Sequence, residues 1–242
     1  MSKRRALVTG GSGDLGAAIC TQLAADGLHV IVHANAQAAR AQAVVDSISA
    51  AGGSAEVVVF DLTDAEACHV AMDALLAVAP IQVVVHNAGI HDDAPMAGMS
   101  WQQWQRVIDV SLHGFFRIVQ PALLPMARTR FGRVLAISSV AGMIGNRGQT
   151  NYAAAKAGLH GAVLSLAREM GSRGITANVV APGLIEGRMS QDSFSPEQIR
   201  QIIPAQRAGR PEEVAAVVRF LASEAASYVS GQIIGVNGGM AG

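Results

Sequence analysis

Short β-branched runs alternate with Ala-rich stretches along the whole chain, at residues 6–9, 29–33, 55–60, 83–86, 133–138 and 176–181, with a seventh at 233–236. The runs are too short for helices and almost continuously apolar, as strands buried on both faces must be. The intervening segments are long enough for crossover helices, and no Pro/Gly/Ser-rich linker divides them. The pattern predicts a single α/β domain over residues 1–242, a Rossmann-like, doubly wound and mainly seven-stranded parallel sheet with helices on both faces. With 242 residues, half of them hydrophobic, the chain can bury a core of that size.

Charge narrows the partners. Lys plus Arg and Asp plus Glu each number 18, so there is no global field to draw the molecule to nucleic acid or to a membrane. The longest apolar stretches fall short of the roughly 18 residues that cross a bilayer, and the N-terminal segment is no secretory leader. These features predict a cytoplasmic protein. Cys20 and Cys68 have neither a CxxC partner nor a neighbouring His, which reads as reduced structural thiols. The seven His residues show no paired-ligand spacing, so no metal is expected.

The first strand runs straight into Thr9-Gly10-Gly11-Ser12-Gly13-Asp14-Leu15-Gly16 and then into an amphipathic helix. In that context glycines allow a tight turn and let backbone N–H groups and the helix start approach a pyrophosphate. Gly10, Ser12, Gly13, Asp14, Leu15 and Gly16 are therefore candidate dinucleotide contacts. A carboxylate beside a pyrophosphate is unfavourable, so Asp14 is expected to point to solvent. The second strand ends His33-Ala34-Asn35, and no Asp or Glu lies between Asp26 and Asp46 to hold a ribose 2′-hydroxyl. The expected cofactor is NADPH rather than NADH, with His33, Asn35 and Arg40 as candidate donors to its 2′-phosphate.

Asn151-Tyr152-Ala153-Ala154-Ala155-Lys156 places Tyr152 and Lys156 one helical turn apart on one face. A phenol with a reference pKa of about 10 is a poor acid at neutral pH, and an adjacent ammonium is expected to lower it. Ser139, after the apolar run that ends at Ile137, can hold a carbonyl oxygen as negative charge develops on it. The three side chains predict a carbonyl-reduction site with Tyr152 as general acid.

The segment Gly145-Asn146-Arg147-Gly148-Gln149-Thr150-Asn151-Tyr152-Ala153-Ala154-Ala155-Lys156-Ala157-Gly158, together with the glycine turn and Ser139, resembles the short-chain dehydrogenase/reductase family, in particular its 3-oxoacyl-[acyl-carrier-protein] reductase branch. The resemblance extends from Leu7 to Met240. It implies that Asp61 and Leu62 contact adenine, that Asn87, Ala88 and Gly89 line the cofactor, and that Pro182, Gly183 and Ile185 lie near the nicotinamide amide. It also implies that Lys156 bonds the nicotinamide ribose. On this reading residues 1–130 form roughly the cofactor half and 131–242 the catalytic and substrate half.

The chain departs from the family pattern twice. The family's TGxxxGxG turn, aligned from Thr9, puts Asp14 where its middle glycine stands, whereas Gly11, Gly13 and Gly16 fit GxGxxG spacing. The family's helical Asn, which holds a proton-relay water for the Lys, is matched by Ser111, so the relay either persists with altered geometry or is impaired. The implied substrate is a 3-oxoacyl thioester on acyl carrier protein. Arg130 and Arg173 match basic residues near the cleft that receive the carrier, and residues 186–204 are the expected lid. A homotetramer is implied, with Ala153, Ala157, His160, Gly161 and Leu164 as a close-packing face. Two alternatives stay open: a reductase of another small ketone or alcohol, and a weakly active scaffold subunit paired with an active homologue.

Overall fold

The computed structural model describes residues 3–187 and 195–241. Strands β1 (Arg5–Thr9), β2 (His29–Ala34), β3 (Ser54–Val59), β4 (Val83–His86), β5 (Gly132–Ile137), β6 (Ile175–Pro182) and β7 (Ile233–Val236) form one sheet in the order β3-β2-β1-β4-β5-β6-β7. All neighbours are parallel. The winding reverses between β1 and β4, and a sheet wound this way opens a crevice beyond the carboxyl ends of those two strands.

The helices are α1 (Asp14–Ala25), α2 (Ala38–Ala50), α3 (Ala65–Val78), α4 (Trp101–Ile108), α5 (Gly114–Arg128), α6 (Ala141–Ile144), α7 (Thr150–Met170), α8 (Pro196–Ile202) and α9 (Pro211–Ala222). Because successive strand side chains point to opposite faces, the sheet feeds two cores. Ala6, Val8, Val30 and Val32 pack with Ile19 and Leu23 of α1 and Val214 and Val218 of α9. Leu7, Ile31, Val84 and Val134 pack with Met72 of α3, Ile118 of α5, and Leu159 and Val163 of α7. Each fully buried Val, Leu, Ile or Met among them contributes roughly 2 kcal/mol on leaving water.

Strand ends differ from the sequence expectation by a residue or so. Phe60 lies just outside β3, and β6 runs on to Pro182. Ladder pairing sets these limits: Gly132 pairs with Ile175 and Pro182 with Val236, although neither glycine nor proline favours a strand.

A π-turn at Asp109–His113 joins α4 to α5, with the Gly114 N–H reaching back to the Asp109 carbonyl. The joined helical run Trp101–Arg128, 28 residues, is long and apolar enough to cross a membrane, which corrects the expectation that no such stretch exists. Its buried stripe, Val107, Phe115, Ile118, Val119, Ala122 and Met126, packs into the protein interior.

Candidate active site

A cleft of about 740 Å³ opens at the carboxyl ends of the strands. It is lined by Gly10, Ser12, Gly13, Asp14, Leu15, Gly16, His33, Asn35, Asp61, Leu62, Asn87, Ala88, Gly89, Ser139, Tyr152, Lys156, Pro182, Gly183 and Ile185. The parallel sheet therefore brings the turn after β1, the end of β2 and the start of α7 to one cavity. Sequence reasoning did not single out Gln37, Ile90, Val110 or Ser138, which also line it. Ser138, beside Ser139, was within reach of a neighbour argument; the others carry no local signal.

At the cofactor end, α1 begins at Asp14 with Gly13 before it. A Cβ on Gly16 would run into the Gly10 carbonyl oxygen, so only glycine lets the helix pack this closely on the turn. Asn87 Nδ2 donates to the Thr9 and Gly10 carbonyls at 3.0 and 3.1 Å, fixing the turn to the end of β4. A close-packed turn at the start of a helix of twelve residues fits a dinucleotide pyrophosphate.

Two cofactor expectations need correction. His33 is buried: its Nδ1 accepts from the Gly10 N–H at 3.1 Å, and its Nε2 donates to the Phe60 carbonyl at 3.0 Å. Burial holds its pKa down at about 4, so the ring stays neutral and braces the turn, with neither nitrogen left for a phosphate. Asp14 does not simply face solvent. Its carboxylate stands 4.0 Å from the Arg40 guanidinium and packs against Gly187, and Arg40 also donates to the Ser12 carbonyl at 2.8 Å. A cation thus offsets the negative charge beside the turn. Asp61 spends one oxygen on the Thr63 N–H and hydroxyl, both at 2.8 Å.

At the catalytic end, Ser139 follows β5 and Tyr152 occupies the first turn of α7. Asn151 anchors that turn, donating to the Asp92 carbonyl at 2.9 Å and the Gln103 carbonyl at 3.1 Å. Tyr152 and Ser139 line the cleft together, and the Ser139 hydroxyl acts on the phenol. Lys156 is buried, and its Nζ donates to the Ile137 carbonyl at 2.8 Å.

The electrostatics differ from the sequence expectation. Burial pushes the Tyr152 pKa up, the Ser139 hydrogen bond pulls it down, and Asp93 pushes it up. The Lys156 ammonium donates to the Ile137 carbonyl and sits 5.6 Å from the phenol ring centroid. Burial also lowers the Lys156 pKa to about 8. Ser111 is fully buried in the π-turn, and its Oγ has no hydrogen-bond partner among the described residues. A Cβ on Gly89 would lie 2.9 Å from Lys156 Nζ and 3.6 Å from Ser111 Oγ, so the bare glycine keeps a gap between the two groups. A buried hydroxyl and an ammionium facing one gap suit a bridging water.

Arg130 and Arg173 are not near this cleft. They precede the starts of β5 and β6, whereas Ser139 follows the end of β5. A six-residue parallel strand therefore separates them from the catalytic groups by about 20 Å. They do lie together, Arg130 donating to the Ser172 carbonyl at 3.4 Å. Of the expected lid, residues 188–194 fall outside the described residues; Glu186 and Gly187 line the cleft and α8 follows.

A family model described as enoyl-(acyl carrier protein) reductase matches residues 12–241. The chain is 41% identical over 236 residues to 3-oxoacyl-[acyl-carrier-protein] reductase FabG of Aggregatibacter actinomycetemcomitans, covering 97% of this chain and 98% of that one. It is 44% identical over 237 residues to 3-oxoacyl-[acyl-carrier-protein] reductase of Synechocystis sp., covering 97% and 96%. It is 43% identical over 241 residues to 3-oxoacyl-[acyl-carrier-protein] reductase MabA of Mycobacterium bovis, covering 98% and 92%. With a glycine turn, a Ser, Tyr and Lys constellation and full-length likeness all in one chain, this protein belongs to the short-chain dehydrogenase/reductase family of oxidoreductases.

Proposed function

We propose that the protein reduces a 3-oxoacyl thioester, carried on acyl carrier protein, to the 3-hydroxyacyl thioester with NADPH. The observation that carries this reading is that Ser139, Tyr152 and Lys156 line the same cleft as the dinucleotide turn. The bound nicotinamide supplies the hydride. Ser139 orients the substrate's C3 oxygen, and Tyr152 gives that oxygen its proton as negative charge forms there. Lys156 holds the ribose and, with Ser111 across the Gly89 gap, returns the proton to Tyr152. The names of the relatives support the thioester and carrier assignments, and a cytoplasmic location goes with the same reading.

NADPH is favoured because the end of β2 carries no carboxylate and Arg40 stands at the mouth of the cleft beside Asn35 and Gln37. The test is a kinetic panel of NADPH and NADH with carrier-bound thioester, free thioester and simple ketones. NADPH should be preferred with the thioesters, and Arg40→Ala should raise the NADPH KM at least about tenfold more than the NADH KM, one charge-assisted contact being worth about 1.5–3 kcal/mol. Equal use of NADH overturns the cofactor assignment. Turnover of simple ketones alone favours a different reductase, and binding without turnover favours a scaffold.

The same proposal includes a homotetramer. Ala157, Gly161 and Leu164 are exposed on α7, and a Cβ on Gly161 would meet nothing within 4 Å, so this face is open to close packing by a second subunit. Since Arg130 and Arg173 lie at the edge opposite the cleft, carrier guidance by them serves a neighbouring subunit's cleft. A monomer mass by light scattering would reject both.

A further inference from the structure

His86, at the end of β4, is fully buried and does not line the cleft, yet it joins the dinucleotide turn to the catalytic π-turn. Its hydrogen bonds have a determinate direction. Thr9 Oγ1 accepts from the Asn87 and Ala88 N–H groups, each at 3.0 Å, so the hydroxyl's own proton is left to give. The neighbour that receives it is His86 Nδ1 at 3.2 Å. The neutral ring must then carry its proton on Nε2, which donates to the Ser111 carbonyl at 2.8 Å. Burial pushes the His86 pKa down to about 3, with the Lys156 ammonium reinforcing it and the Ser111 hydrogen bond opposing it, so the neutral ring holds throughout the working pH range.

The recipient carbonyl is in an unusual place. A π-turn inserts a residue into a helix and disturbs the regular ladder of carbonyl acceptors. His86 supplies a donor to that turn, its Cε1 lying 3.4 Å from where a Cβ on Gly114 would stand, while Phe115 meets the ring edge-on at 5.8 Å. We propose that His86 is a positioning residue which, by clamping the Ser111 carbonyl to Thr9, fixes the π-turn and keeps the Ser111 hydroxyl facing Lys156. The ring is fully buried and stands outside the cleft lining. Its effect on turnover passes through Ser111, and the inference rests on the proton-return role proposed above for that residue.

The test uses full-length His86→Asn and His86→Gln. The Gln amide nitrogen reaches the position of Nε2 and keeps a donor for Ser111, whereas the shorter Asn amide does not. The Asn variant should lose about tenfold in kcat, a fraction of what general acid–base groups supply, with NADPH Kd and thioester KM within about twofold of wild type. The Gln variant should recover most of that loss. In a Ser111→Ala background the Asn substitution should cost less than about twofold more, since one effect acts through the other. Equal losses in Asn and Gln, or additivity with Ser111→Ala, overturn the proposal. Nitrogen NMR of histidine-labelled wild type gives a readout independent of variant folding and of turnover: an Nε2–H tautomer is expected, and Nδ1–H would overturn the clamp. Wild type without reductase activity would sink the proposed function but leave that readout standing.

Discussion

The two edges of the sheet bury polar groups in opposite ways. At the amino edge, Arg5 donates to the Leu75 and Ala79 carbonyls at 2.6 Å each and pairs with Glu56 at 3.1 Å. Arg133, 2% exposed, donates to the Ser223 and Gly132 carbonyls and stacks on Phe131 at 4.1 Å. Each guanidinium makes three hydrogen bonds, although the Thr176 hydroxyl at the same edge has no partner among the described residues. At the carboxyl edge Lys156 has one carbonyl acceptor, and Ser111 Oγ has no partner among the described residues. Tyr152, Lys156, His33 and His86 there are all shifted by burial. Buried charge at the amino edge is held by three acceptors each, whereas the buried ammonium at the carboxyl edge has one and leaves capacity for ligands.

The largest expected break in that comparison is Tyr152→Phe. It deletes a proton donor at the under-satisfied edge and keeps the ring, so kcat should fall about 10³-fold with NADPH affinity and melting temperature nearly unchanged. Steady-state assay and fluorescence titration would check this; near-normal turnover would remove Tyr152 from the chemistry.

Acid should act next, and selectively on the carboxyl edge. His33 and His86 have folded pKa values of about 4 and about 3, below their unfolded reference of 6.5. Between those limits the unfolded chain binds more protons, so the stability present above pH 6.5 is lost as pH falls through 4 and then 3. Denaturant midpoints should fall by the equivalent of roughly 5 kcal/mol between pH 6.5 and 4, about half of it from each ring, and His33→Gln should remove its half of that slope. A flat profile would show that the rings are not held neutral.

Arg133→Met should have the smallest effect, a stability loss of roughly 2 kcal/mol, because it leaves the Ser223 carbonyl without its donor while preserving apolar volume. Turnover of the remaining folded enzyme should be unchanged. Calorimetry alongside kcat measurement separates the two, and loss of kcat with intact stability would mean that the edges are not divided as described.

The sheet and most of its cleft could be read in the sequence because their determinants are local. Short apolar runs set the strands, the glycine turn sits between strand and helix, and Tyr152 and Lys156 share one helical face by spacing alone. Tertiary structure decided what depends on neighbours distant in the chain. His33 became a brace rather than a phosphate donor because Gly10 and Phe60 take both its nitrogens. Asp14 acquired a counter-charge from Arg40 through the packing of α2 beside the turn. The π-turn that presents the Ser111 carbonyl to His86 has no periodicity of its own, and the burial that sets the Tyr152 and Lys156 pKa values arises only when sheet and helices close around them. Arg130 and Arg173 looked like companions of the cleft, but the parallel strands place them at its opposite edge, since sequence motifs record which residues are present and strand direction decides which end they reach.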